Sequence, residues 1–119
     1  ITMDLQVESI DYPKIYLNSI IYNLLSNAIK YRVQGRIPEI HISTKLIDDK
    51  ISLQIRDNGI GIDISKHKNK IFAFRHIFHT GFDSTGVGLF LTRYQVETLG
   101  GKISVESTPD VGSTFTVIF

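Results

Sequence analysis

The segment Asn23-Leu24-Leu25-Ser26-Asn27-Ala28-Ile29-Lys30-Tyr31 constrains this chain more than any other, because it sets two amides, an amine and a phenol at offsets of four, seven and eight residues. In a helix those offsets share one side. At about 100° per residue, Leu17, Ile20, Ile21, Leu24, Leu25 and Ala28 form an adjoining apolar stripe, which puts Asn23 and Asn27 on its border rather than out in solvent. A helix of that cross-section packs one flank on a core and offers ligands on the other. Asparagine is a poor interior helix residue, and two at a core boundary can equally be satisfied by backbone or water. Amide oxygens nevertheless suit Mg²⁺ and the Lys30 ammonium suits a phosphate, so the helix reads as a metal-nucleotide face.

The 119 residues make one domain, 1–119, large enough to bury roughly two thirds of its unfolded surface without staples. A net charge of +1 gives no long-range attraction to nucleic acid or membrane, and no apolar run approaches the ~18 residues of a span. A soluble domain is expected, with no nucleic-acid partner and no direct membrane contact. The absence of cysteine excludes disulfides and thiolate metal sites and fits a cytoplasmic setting. Ile1 leads straight into alternating residues with neither initiator methionine nor signal segment, so the chain reads as a piece of something longer.

Residues 1–9 alternate as a strand, and Asp11-Tyr12-Pro13 opens a helix over 14–31 with the proline in its first turn, where no hydrogen bond is lost. After a turn at 35–38, residues 40–47 and 51–56 alternate as a hairpin linked by Asp48-Asp49-Lys50. Over 57–85 the alternation fails, which predicts a short helix embedded in loop, where function tends to concentrate. Helical spacing returns over 86–99 with Gly100-Gly101 as the stop, and 102–107 and 114–119 close the chain as a second hairpin with Phe115, Val117 and Phe119 on one face. Five strands with about three helices on one face predict an α+β fold, a two-layer α/β sandwich with a mixed five-stranded sheet.

Asp57-Asn58-Gly59-Ile60-Gly61-Ile62 comes directly off the second hairpin strand, so the Asp57 carboxylate sits at a sheet edge facing the asparagine helix. Those letters commonly mean a plain turn. Here, however, no strand returns after two residues, and the glycines run on between isoleucines, which lets backbone approach a flat ligand. A carboxylate held there accepts from the exocyclic amine of adenine, a charge-assisted bond contributing about 1.5 to 3 kcal/mol. Guanine presents an acceptor to that acceptor. A second cluster, Ser84-Thr85-Gly86-Val87-Gly88-Leu89, puts glycines at the start of the last helix, whose free N–H groups attract anions, although tight packing explains such an entry equally well. It follows no strand of a βαβ unit and lacks the Walker order of lysine and threonine, so neither dinucleotide nor P-loop readings fit.

The order Asn23-x-x-x-Asn27-x-x-Lys30-Tyr31, Asp57-x-Gly59-x-Gly61, Phe72 to Phe78, Gly86-x-Gly88-Leu89 and Gly112-Ser113-Thr114-Phe115 resembles the catalytic ATP-binding domain of sensor histidine kinases over nearly the whole chain. The wider superfamily includes DNA gyrase, heat-shock chaperones and mismatch-repair ATPases, with ATP between a lid and the sheet. The resemblance implies that Asn23 and Asn27 hold Mg²⁺ against the phosphates, that Lys30 touches phosphate and that Tyr31 lies near the adenine. It implies that Asp57 reads the adenine amine, with Gly59, Gly61 and Ile62 lining the pocket. Thr85, Gly86, Val87, Gly88 and Leu89 then form the lid hinge and phosphate-binding amides, Thr114 joins the ATP site, and Phe72 and Phe78 pack the core and anchor the lid. The chain departs from the pattern in a short lid over 79–85 and in Ser84, which stands where many relatives carry glycine.

Hydrolysing members of that superfamily generally carry a glutamate where this chain has Asn23, and an amide cannot take a proton from water. A neutral imidazole needs no such base, since positioning and charge neutralisation suffice. The resemblance therefore implies transfer to histidine on a separate helical dimerisation and phosphoacceptor domain of the same parent, with a response regulator downstream. None of His41, His67, His76 and His79 is followed by an acidic residue in an amphipathic helical hairpin, as kinase acceptors usually are. The basic residues Lys66, Lys68, Lys70, Arg75 and His76 read as a solvated loop face. A nucleotide-responsive interaction module without transfer and a protein serine kinase are the alternatives.

Overall fold

The computed structural model describes residues 1–67, 71–72 and 88–119. Its elements in chain order are β1 (Thr2–Leu5), α1 (Lys14–Lys30), β2 (Ile40–Ile47), β3 (Lys50–Asp57), the single-turn α2 (Ile64–His67), α3 (Gly88–Thr98), β4 (Lys102–Thr108) and β5 (Gly112–Ile118). The strands form one mixed sheet in the order β1-β2-β3-β5-β4, with β1 parallel to β2 and every other neighbour antiparallel. The α+β architecture is thus the expected one.

Helix α1 forms because its 17 residues contain no glycine or proline and repeat apolar side chains at helical spacing. Pro13 stands at the N-cap, one position before the first turn, and its carbonyl accepts the Leu17 N–H at 3.0 Å. Ile20, Leu24 and Ala28 are the residues the stripe buries, against Leu53 and Ile55 of β3 and Phe115 and Val117 of β5. Helix α3 closes the layer with Leu89 and Val96, and Gly100 at φ 85° ends it, its N–H donating to Glu97 O and that of Gly101 to Val96 O.

The first hairpin has a two-residue turn. Asp48 and Asp49 both take positive φ, 49° and 64°, and Lys50 pairs with Ile47 as the first residue of β3 rather than as part of the link. Strand β1 is shorter than the alternation predicts. The Gln6 N–H still donates to Thr44 O at 3.1 Å, and at Val7 a side chain takes over: the Thr44 Oγ1 accepts the Val7 N–H at 3.1 Å and donates to Val7 O at 2.6 Å. Among the described residues no helix is long and apolar enough to cross a membrane.

Candidate functional site

Asp57 ends β3 directly opposite Ser113 of β5, and the chain then leaves the sheet through residues 58–62. That loop is fastened at nearly every residue. Asn58 exchanges hydrogen bonds with Glu39, backbone N–H to carbonyl at 3.3 Å and Glu39 N–H to the Asn58 Oδ1 at 2.9 Å, and its Nδ2 donates to Ile37 O at 3.0 Å. The Ile60 N–H donates to Tyr31 O at the end of α1, while Ile60 O accepts the Asp110 N–H from the β4–β5 turn. Arg36 clamps both sides from outside, donating to Asn58 O at 2.8 Å and to Asp110 O at 3.0 Å. Glycine is required at Gly61, which has φ 72° and where a Cβ would overlap the Thr108 carbonyl; at Gly59 a Cβ would come within 2.6 Å of Tyr31 O. The loop is therefore a turn and a wall at once.

Within it the Asp57 Oδ1 accepts the Gly59 N–H at 2.9 Å and the Ser113 N–H at 3.3 Å. The other carboxylate oxygen makes no hydrogen bond among the described residues. Burial pushes the Asp57 pKa above the ordinary carboxylate value, opposed by the two backbone N–H bonds. Asn27, Tyr31, Asp57, Gly61, Ile62, Ser113 and Phe115 line a cavity of ≈ 20 Å³, room for about one water. Asn27 of α1, Tyr31 at the C-cap of that helix and the aspartate thus meet at one place.

One turn earlier on α1, the Asn23 Nδ2 is buried with no hydrogen-bond partner among the described residues. The Asn23 Oδ1 lies 3.9 Å from the point where a Cβ on Gly88 would stand, so this amide faces the first residue of α3. A buried amide without a protein partner beside a helix N-terminus suits a ligand with negative charge. The donor set available to a metal is two amides, which fits Mg²⁺ only where phosphate oxygens and water complete its shell. Among the described residues no group of three or more His, Cys, Asp or Glu could hold a metal. Lys30 is half-buried in the last turn of α1 and does not line the cavity.

The other residues singled out in the sequence fall in three groups. Leu89 is buried in the core, and Phe72 packs edge-on against Phe115 at 6.3 Å between centroids with the Arg93 guanidinium 6.0 Å from its ring centroid. Thr85, Gly86, Val87, Phe78, Ser84, Lys68, Lys70, Arg75, His76 and His79 lie outside the described residues. Thr114 pairs with Arg56 and Glu106, one residue out of phase with Ser113 and Phe115, so it occupies the sheet face away from the cavity. Ser113 stands at the cavity in its place. The parity of Phe115 and Val117 carried that information, since residues two apart share a face. Ser107 and Arg36 do not line the cavity but fasten the segments around it, through Ile62 and through Asn58 and Asp110, and no local signal marks either.

The family described as histidine kinase-, DNA gyrase B-, and HSP90-like ATPase matches residues 13–119. Over 107 residues the chain is 37% identical to the sensor histidine kinase RcsC of Escherichia coli, a match covering 85% of this chain and 11% of that protein. Cyanobacterial phytochrome A of Nostoc sp. is 38% identical over 101 residues, covering 83% of this chain and 13% of the relative. The chain therefore spans a small fraction of the length of the curated relatives it matches. Among solved structures, the catalytic domain of the histidine kinase ThkA superposes with a TM-score of 0.80 at 26% identity, covering 99% of this chain and 77% of that one. The mycobacterial sensor histidine kinase MprB superposes with a TM-score of 0.82 at 21% identity, a likeness of fold.

Proposed function

The chain belongs to the histidine kinase-, DNA gyrase B- and HSP90-like ATPase family, and from that premise we propose that residues 1–119 are the Mg-ATP-binding catalytic domain of a sensor histidine kinase, donating the γ-phosphoryl group to a histidine on a separate dimerisation domain. The observation that carries the reading is the convergence of Asp57, Tyr31 and Asn27 on one cavity, with the Asn23 amide, unpartnered among the described residues, one turn away at the start of α3. Base and phosphates then lie along a single helix side.

In this reading Asp57 accepts a hydrogen bond from the adenine amine through the oxygen that Gly59 and Ser113 leave open. Asn23 and Asn27 hold Mg²⁺, which when bound neutralises phosphate charge; Lys30 reaches the phosphates from the last turn of α1. Thr85, Gly86, Val87 and Gly88 supply lid and amide contacts. Asn23 has no group able to accept a proton, so water is not activated and the phosphoryl group passes to an imidazole whose lone pair needs no base. Transfer then rests on positioning and electrostatics. The acceptor domain belongs to the same parent protein, a response regulator receives the phosphate downstream, and the domain works in the cytoplasm, as the cytosolic part of its parent.

Mixing the chain with the helical acceptor domain and labelled ATP tests this directly: acid-labile phosphate should appear on the partner. Acid-stable phosphate would instead identify a serine kinase, and nucleotide binding with an inert partner a responsive interaction module.

A further inference from the structure

Two segments that wall the Asp57 cavity, the loop after β3 and the start of β5, meet at one hydroxyl that does not itself line it. The Ser107 Oγ, on β4, accepts the Ile62 N–H at 2.7 Å, donates to the Gly112 carbonyl at 2.9 Å and lies 2.7 Å from the Ser113 Oγ. A serine hydroxyl has one proton and two lone pairs. The Ile62 N–H can only donate and the Gly112 carbonyl can only accept, so these two bonds consume the Ser107 proton and one lone pair. What remains for Ser113 is a lone pair, and the Ser113 hydroxyl must be the donor between them. Were Ser107 to donate to Ser113 instead, its oxygen would face the Gly112 carbonyl at 2.9 Å with no proton between, in a part-buried place where a lost hydrogen bond is costly.

Ser113 is 7% exposed and lines the cavity, with its own backbone N–H on the Asp57 Oδ1. Its proton committed to Ser107, it has only lone pairs left for anything in the cavity, as does Asp57. We infer that Ser107 is a positioning residue that fixes the hydrogen-bond polarity of the base site, making it acceptor-only so that it takes a purine with an amine at the six position and rejects one with a carbonyl there. This rests on the ATP reading above. Ser107 acts through Ser113 and touches no ligand.

The experiment compares ATP with inosine triphosphate, which replaces that amine by a carbonyl, by calorimetry on the chain as it stands. Ser107→Ala frees the Ser113 proton to turn into the cavity and meet the carbonyl, so the preference for ATP should fall by roughly five- to tenfold. Ser107→Thr, which keeps a hydroxyl, should restore it. A merely structural role for Ser107 would weaken both nucleotides equally, and that result would overturn the inference. If Ser107→Ala does not fold, Ser113→Ala serves: removing the fixed acceptor should weaken ATP more than inosine triphosphate, and equal losses again sink the idea. Failure of the unaltered chain to bind either nucleotide would remove the ATP reading itself, whereas binding of both without preference would overturn only the assignment of polarity.

Discussion

Asp57 places two opposed demands on one carboxylate. Its Oδ1 closes the turn at Gly59 and accepts from Ser113, while burial disfavours the charge that an amine-bearing base requires. The two demands give opposite responses to acid. Because its folded-state pKa is raised, the folded chain takes up this proton at a higher pH than the unfolded chain does, so the group makes the free domain more stable as pH falls through the folded pKa, with no further gain below the unfolded value. Nucleotide affinity runs the other way, lost as the same carboxylate protonates, and the loss begins above the ordinary carboxylate range. Thermal melts and calorimetry across mildly acidic pH should show both trends, and both should vanish in Asp57→Asn. That variant keeps an oxygen for Gly59 but offers a donor where the base amine needs an acceptor. It should fold, bind ATP roughly ten- to a hundredfold more weakly, and lose the preference for ATP over GTP. Unchanged selectivity would take Asp57 out of the base site.

At the level of elements, local geometry sets separable costs. The β2–β3 turn holds Asp48 and Asp49 in the left-handed region with adjacent like charges, so replacing the pair by Asn-Gly should stabilise the domain by about 1 kcal/mol in urea unfolding. Gly61→Ala should cost more than ~2 kcal/mol, since strain at φ 72° adds to overlap with the Thr108 carbonyl; a smaller loss would mean that the loop wall yields. These differences mirror what could be read beforehand. Helix α1 was legible because one stripe from Leu17 to Ala28 determines both its period and its buried side, and the two hairpins because alternation and turn residues agree. Thr114 falls on the sheet face away from the cavity for a simple reason: a motif gives spacing, whereas a strand gives parity, and only the pairing of Asp57 with Ser113 says which residue looks inward. The shortened β1 escaped because at Val7 the Thr44 side chain takes the place of backbone ladder bonds. Arg36 and Ser107 escaped because the partners that tie them to the loop and turn, Asp110 and Ile62, lie 74 and 45 residues away in the chain, where no local pattern reaches.

Taken as a whole, the molecule assembles its site from pieces that the sheet order alone makes neighbours. Because β5 lies between β3 and β4, the β4–β5 turn reaches the loop after Asp57, and the packing of α1 on α3 sets Asn23 against Gly88. A ligand touching all of these must stabilise the folded state globally, in proportion to its affinity. ATP with Mg²⁺ at about a hundred times Kd should add ~2.7 kcal/mol, a rise in Tm on the order of 10 °C for a domain of this size. Asn27 isolates the metal's share of that rise. Its side chain makes no hydrogen bond among the described residues and borders the cavity, so Asn27→Ala should leave the melt of the free domain nearly unchanged. With nucleotide present the variant should lose most of the increment that Mg²⁺ adds while keeping the increment measured in excess chelator. Equal losses with and without metal would make Asn27 a wall of the cavity rather than a ligand. In that case the amide side of α1 would owe its position to packing, and the metal would have to be held from elsewhere.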